Sequence, residues 1–503
     1  MPRLVPSIKE EDASMREFKM YIDGQWVDAA DGKKFTTTNP ANKEKVSQLP
    51  AASAADVEKA CAAARRAFES GVWSDMNPET RADMLLNVAK IMKTRLHELA
   101  EFEAMESGKP IRETLEIDIP LCIWAFEYFA NLSREIKGET TRVNSELGKR
   151  IFNFIEYEPY GVVAVISPYN YPLHLMTRSL CPALATGNTC VCKASSFTPS
   201  TAAILSEIMQ EAGIPAGVVN FISGSGSVCG EALASNKEVN VIAFTGSEEV
   251  GRKLLHYSAD SPIIKKTVLE LGGKGPAIIL PDCDMELATD AQLEGFTSNQ
   301  GEVCCALTRC ILHEDIYDEF LELLAKKAKK IKIGDTMDES TQMGTLISDA
   351  HLESVHRHVT QAVAEGARVY CGGRRYTEPP CDKGSYYEPT VLIDVKPDMK
   401  CCREEIFGPV LSVLKYSTID EAVSLANNTS FGLGANIFTE DMRTAYNMAR
   451  KVDAGTVWVN MAMYSQIACP FGGNKNSGLG REYGETGLHE YLKVKSHIWL
   501  MKK

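Results

Sequence analysis

Between Gly161 and Gly273 the chain repeats one pattern, a short apolar run followed by a stretch with apolar positions three and four apart. The runs are GVVAVIS, TCVCKAS, VVNFISG, VNVIAFTGS and TVLELGG. They are continuous in Val and Ile and do not alternate with polar positions. That predicts strands covered by helices on both faces, and hence a parallel sheet. One intervening helix can be delimited. Ile204, Leu205, Ile208, Met209 and Ala212 recur at helical spacing, Thr198 suits the N-cap, Pro199 the first turn and Gly213 the stop. Repeated βαβ units predict an α/β fold with a doubly wound nucleotide-binding domain.

A second αβ pattern runs from about residue 281 to 460, with a helix over IYDEFLELLAKKAKK and apolar runs at VLIDV, VLSVLKY, ANIFT and TVWVN. RIFNFIEYEP (150–159) and the C-terminal KVKSHIWLM fit neither pattern. Both read as strands, and exposed strands of this kind invite pairing with another subunit.

Length and composition narrow the class. A chain of 503 residues exceeds one ordinary core, so two or three domains are expected. The formal net charge of −13 argues against a nucleic-acid surface, which needs Lys and Arg to neutralise phosphates. No stretch has the apolar length of a secretory signal or a membrane span, so no membrane partner and a cytoplasmic location are expected. The 15 cysteines are odd in number and scattered, which reads as reduced thiols. The pairs Cys190/Cys192, Cys304/Cys305 and Cys401/Cys402 lack the spacing of a structural zinc site, and no metal is expected.

Several segments could carry chemistry, each with a plainer alternative. In NQGEVCCALTRC two cysteines follow a glycine; a cysteine alone is more often an inert core residue. In LELGGK, Glu270 precedes Gly272 and Gly273, where backbone can approach a flat ring closely, or it is a strand-end carboxylate in an ion pair. Asn170 in SPYNYP sits at the end of a strand, where ligands gather in parallel sheets. Its amide can donate to a developing oxyanion or simply form a turn before Tyr171-Pro172. GSGSVCG (Gly224, Gly226, Gly230) is one residue longer than the usual dinucleotide fingerprint. FTGSEEVG sets Gly246, Ser247 and Gly251 at another strand-to-helix turn, a place for a phosphate or ribose edge.

Together SPYNYP, CKASSFTP, FTGSEEVG, LELGGK, GEVCCALTR, EEIFGPV and PFGGNKNSGLGRE resemble the aldehyde dehydrogenase superfamily, seven motifs in the family's order. The similarity runs from MYIDGQWVDA to GLHEYLKVKS, nearly the whole chain. The resemblance implies a Rossmann-like cofactor domain (18–145 and 160–280), a catalytic domain (281–475) and a β arm (146–159 and 485–503) that builds homodimers or homotetramers. It also implies oxidation of a small-molecule aldehyde to a carboxylic acid with NAD or NADP. Cys304, not Cys305, would be the nucleophile. Its thiolate would attack the aldehyde, Asn170 and the Cys304 N–H would hold the alkoxide, and Glu270 would activate water against the thioester. Lys193 and Glu405 would bind ribose hydroxyls and Phe407 would pack near the nicotinamide. Ser167, Tyr169, Ser196, Gly226, Gly246, Ser247, Gly251 and Gly272 would complete the cofactor site.

The sequence departs from the family's usual pattern at Glu302 (usually Gln), Ala194 (usually Pro) and Ser196 (usually acidic). A serine there leaves room for a 2′-phosphate that Lys193 can meet, so NADP should serve at least as well as NAD. Arg178, on the helix after Asn170, occupies a place where members acting on succinic semialdehyde carry an arginine that grips the distal carboxylate. Tyr171, Ser298 and Ser465 are implied as further pocket residues. These favour a short polar or acidic semialdehyde, with lactaldehyde-type or aromatic aldehydes as alternatives. A cysteine hydrolase would want a histidine beside its thiol, and none of the nine histidines lies in the seven motifs. A CoA-acylating enzyme would have no use for Glu270 as a water-activating base.

Overall fold

A computed structural model of the chain describes residues 15–140 and 150–501. The expected domain residues 141–145 and arm residues 146–149 lie outside the described residues, as do 502 and 503 at the end of the second arm segment.

The five apolar runs form five parallel strands, Val162–Ile166, Thr189–Lys193, Val219–Ile222, Val239–Thr245 and Lys266–Glu270. From Val162–Ile166 the chain adds strands outward through Thr189–Lys193 to Val219–Ile222. It then returns to the other side for Val239–Thr245 and Lys266–Glu270. The order therefore reverses between Val162–Ile166 and Val239–Thr245, which opens a crevice at their carboxyl ends. Antiparallel edges from Met20–Ile22, Gln25–Val27 and Gly478–Leu479 bring the sheet to eight strands.

Why the runs are continuously apolar is visible in one strand. Val162 and Ala164 enter one core with Val57 and Ala60 of the helix Ala54–Glu69, while Val163 and Val165 enter the other with Leu173 and Met176 of the helix Pro172–Ala185. Alternate side chains point to opposite faces, and both faces are covered.

The second sheet has seven strands, all parallel except the Arg368–Cys371 edge. Pro276–Ile279 lies inside it, between Arg309–His313 and Gly434–Phe438. The chain thus crosses between sheets at 271–275, ahead of the expected 281. Arg150–Pro159 and Leu492–Met501 pair antiparallel over ten residues as a separate two-stranded arm.

One helix start differs from expectation. The helix is Ser200–Glu211, and buried Thr198 leaves its hydroxyl without a partner. Glu106 takes the capping role from outside, its carboxylate accepting from the Ser200 N–H at 3.0 Å and the Ser200 hydroxyl at 2.6 Å. Gly213 ends the segment at φ +85°. No helix among the described residues is long and apolar enough to cross a membrane.

Candidate active site

The carboxyl ends of the five parallel strands carry the sequence candidates. Ser167, Tyr169 and Asn170 follow Ile166, and Lys193 ends the second strand. The glycine-rich turn follows Ile222, Gly246 and Ser247 follow Thr245, and Glu270 ends the fifth strand. Ser247 caps the helix Glu248–Ala259, its hydroxyl accepting from Val250 N–H at 3.4 Å. Gly251 packs in that helix against Leu271.

Cys304 reaches this rim from the second sheet through a strained turn. Asn299, Gln300 and Gly301 have φ of 45°, 55° and 74°, a left-handed run that costs a residue with a Cβ roughly 1–2 kcal/mol. Buried polar contacts hold it. Asn299 donates its N–H to Glu113 at 3.1 Å and its side-chain amide to Asn170 O at 2.8 Å, while Gln300 accepts from Gly344 N–H at 3.0 Å. Asn170 returns one amide N–H to Glu302 O at 2.9 Å, which leaves its second for a ligand. Gly273 backs the loop, because a Cβ there would collide with the Cys304 carbonyl oxygen.

Cys304 is half-buried. The neighbouring Cys305 thiol and burial push its thiol well above the ordinary range, against the opposing charge of Arg178. Glu270 is buried and neither carboxylate oxygen has a hydrogen-bond partner. Burial raises its pKa well above the usual carboxylate range; Arg178 opposes this, and Cys304 and Glu482 reinforce it. Burial thus disfavours the charged form of both groups.

Arg178 is not a free cation at a substrate entrance. Its guanidinium is ion-paired with Glu482, the two side chains being 4% and 2% exposed. The guanidinium also lies 5.2 Å from the Phe471 ring and 5.9 Å from that of Tyr483. Ser179 gives Glu482 a further hydrogen bond at 2.8 Å. The charge that a substrate carboxylate would have met is thus already matched within the protein, against the expectation of an anion clamp. Tyr171 is half-buried with Lys109 Nζ 3.8 Å from its ring centre, and Lys109 is itself paired with Asp118. Ser298 follows the helix Met285–Thr297, half-buried, and Ser465 is exposed six residues before Phe471.

The sequence model of the Aldehyde dehydrogenase family matches residues 26–497. A Bacillus subtilis relative, DhaS, is 42% identical over 482 residues, spanning 96% of this chain and 95% of its own. A betaine aldehyde dehydrogenase of the same organism is 38% identical across 95% and 96% of the two chains. The structure of an aldehyde dehydrogenase from Bacillus cereus in complex with NAD+ superposes with a TM-score of 0.94 at 38% identity, covering 99% of each chain.

The chain belongs to the aldehyde dehydrogenase family. It oxidises an aldehyde to a carboxylic acid with NAD or NADP on the aldehyde dehydrogenase fold.

The residues of this aldehyde dehydrogenase fit such a cofactor. Ser167 Oγ is buried without a partner at the crevice. Gly226 has open space where a side chain would stand, and a Cβ at Gly272 would collide with the Glu405 carboxylate. Glu405 accepts from Gly273 N–H at 2.9 Å, and buried Lys193 donates to Ala194 O at 3.0 Å. Phe407 holds φ +58° on the facing loop, its ring centre 6.1 Å from that of Tyr169. Ser196 lines a cleft of about 620 Å³ with Lys33, Ser53 and Ser225.

Sequence reasoning singled out neither Glu482 nor Glu113 as a site residue. Glu482 ends the quoted motif PFGGNKNSGLGRE, so a carboxylate in a glycine-rich matched segment was the available signal. Glu113 has no such motif. Only its burial and its bond to the strained Asn299 N–H reveal it.

Proposed function

We propose that Cys304 is the nucleophile of this enzyme, that the free Asn170 amide N–H and the Cys304 N–H stabilise the oxyanion, and that Glu270 activates the deacylating water. One observation carries this reading: Glu270 lies fully buried beside Cys304 with both oxygens unpartnered. A buried carboxyl with no internal partner is costly to the fold and suits a group that must exchange protons with a reacting centre. The Cys304 thiol gives up its proton to solvent, and the thiolate adds to the aldehyde carbon. The amide donors hold the resulting alkoxide. A nicotinamide cofactor held at this site would take the hydride that leaves the carbon, and a thioester on Cys304 would remain. Glu270 then removes a proton from water as it adds to the thioester, and the carboxylic acid leaves as Cys304 is restored. Pre-steady-state mixing of Glu270→Gln with aldehyde tests the order of steps. A first equivalent of reduced cofactor followed by slow turnover is expected. A variant with steady-state and first-turnover rates reduced equally would refute the separate deacylation role.

We propose further that the substrate is a neutral aldehyde, small and hydroxylated or aromatic. The support is the Arg178–Glu482 pair, which leaves this arginine already matched and without a charge to offer an acidic tail. A related benzaldehyde dehydrogenase of Antirrhinum majus is 38% identical across 97% of this chain and 90% of its own. Arg178→Ala should reduce kcat/KM for succinic semialdehyde and for a neutral aldehyde of the same length by similar factors. A loss confined to the anionic substrate would restore the clamp. For the coenzyme, Ser196 and the cleft beside it support use of NADP at least as well as NAD. For assembly, the exposed Val494, Ile498, Trp499 and Leu500 on the arm support pairing with further copies of the chain.

A further inference from the structure

We propose that Glu302 and His351 are positioning residues that pin the loop carrying Asn170 to the loop carrying Phe407, and so hold the nicotinamide side of the site closed on its cofactor. The inference rests on the assignment of Asn170 and Phe407 made above, and it gives a role to the residue that departs from the family's usual Gln.

Glu302 faces both ways. Its backbone oxygen accepts from the Asn170 amide at 2.9 Å and from the Asn299 amide at 3.2 Å. Its side chain, 1% exposed, turns to the other wall. There Oε1 receives Ile347 N–H at 3.2 Å and the Tyr169 hydroxyl at 3.3 Å, with His351 Nε2 at 3.5 Å. Oε2 has no partner. His351, in the first turn of the helix Asp349–Ala364, places the same Nε2 2.6 Å from the Phe407 carbonyl. Phe407 O is an acceptor, so Nε2 carries the ring's hydrogen and donates it to the Phe407 loop, while Ile347 N–H, four residues earlier, donates to Glu302. The rings of Tyr169, His351 and Phe407 pack mutually with centres 6.1 to 6.5 Å apart. Phe407 itself is held at φ +58°, a conformation that needs support from its surroundings.

An ionised Glu302 is acceptor-only and suits the two donors, Ile347 N–H and the Tyr169 hydroxyl, that converge on one oxygen. A protonated one carries its hydrogen on the unpartnered Oε2 and leaves Oε1 a neutral, weaker acceptor. Burial pushes its pKa up to about 8, while Ile347 N–H, Tyr169 and Lys109 work to lower it. The other charged or titratable groups around the cluster are Glu405, which acts on the Tyr169 hydroxyl, and His358, which acts on His351 and pairs with Glu404 at 3.5 Å. Burial keeps His351 below its ordinary value and therefore neutral in this range. An amide at position 302 would supply its acceptor oxygen at every pH.

The test separates this pin from the chemistry by working in a Cys304→Ala background. Binding of reduced nicotinamide cofactor is measured by its fluorescence from pH 6.5 to 9.5. Affinity should rise about tenfold across that range, the worth of one charge-assisted hydrogen bond. Cys304→Ala/Glu302→Gln should bind at the weaker, low-pH level with this component of the pH dependence gone. Cys304→Ala/His351→Phe should bind several-fold more weakly, with the same rise retained in reduced form. Superimposable profiles with and without the Glu302→Gln change would overturn the proposal and leave the site assignment intact. Failure of all three proteins, folded by circular dichroism, to bind cofactor would overturn both.

Discussion

Glu106 and Glu270 are each about 1% exposed, end up near the same sheet, and are treated oppositely by their surroundings. Around Glu106 the hydroxyls of Thr37, Ser47 and Ser200 and the N–H of Ser200 all donate, at 2.6 to 3.0 Å. Around Glu270 no donor reaches either oxygen. Desolvation raises both pKa values, but at Glu106 the donors work against it, and at Glu270 Cys304 and Glu482 add to it. The first carboxylate fastens its own helix, a hairpin and a second helix start together. The second has both oxygens unpartnered, which in the mechanism proposed above leaves it available for proton exchange. Burial alone therefore does not distinguish the two carboxylates; the donors given to one and withheld from the other do.

The comparison can be broken most severely at the thiol that Glu270 serves. Cys304→Ala should lower kcat by at least about 10⁴-fold while folding and cofactor binding persist, and Cys305→Ala should stay within a few-fold. An inactive Cys305 variant with an active Cys304 variant would reassign the nucleophile. Next in size, Glu270→Gln should slow turnover by about 10²- to 10⁴-fold. Its stability profile gives the sign of the difference. A carboxyl whose folded pKa is raised keeps its proton while the unfolded chain loses one, so stability falls as pH climbs from about 4.5 to the folded pKa, then levels. In urea titrations Glu270→Gln should lack that decline.

Glu106→Gln should do the reverse, removing about 1–3 kcal/mol of stability in urea titrations with kcat per folded site unchanged. A loss of kcat without a loss of stability would erase the contrast. The mildest effect is sought by adding a carboxylate. Ser196→Glu should lower kcat/KM for NADP by about tenfold relative to NAD, through repulsion of the 2′-phosphate. A parent enzyme that strictly requires NAD would refute the premise.

The strands were legible because each is apolar on both faces, and the rim residues because they sit where such strands end. What could not be read were pairings set by distance in the chain. Arg178 looked like a free cation because its partner, Glu482, comes from the far end of the sequence. Thr198 looked like a helix cap because nothing local announces that Glu106 will cap Ser200 from another element. The strained run at Asn299 and Gln300 had no glycine signal, since side-chain and backbone bonds to Glu113, Asn170 and Gly344 stand in for one. Glu302 was noticed as a departure, but its partner His351 belongs to a helix outside every matched motif.

The edge strand Gly478–Leu479, with Glu482 just beyond it, sets a timetable for biosynthesis. Arg178 is made roughly 300 residues before the carboxylate that neutralises it. At about 5–20 residues per second, some 15 to 60 s of translation separate the two. Until then the first sheet lacks one edge, and closing the helix Pro172–Ala185 onto it would bury an unmatched charge. A nascent chain, or one truncated before residue 482, is therefore held short of the finished site. The residue that completes the electrostatics behind Glu270 leaves the ribosome long after the arginine it pairs with.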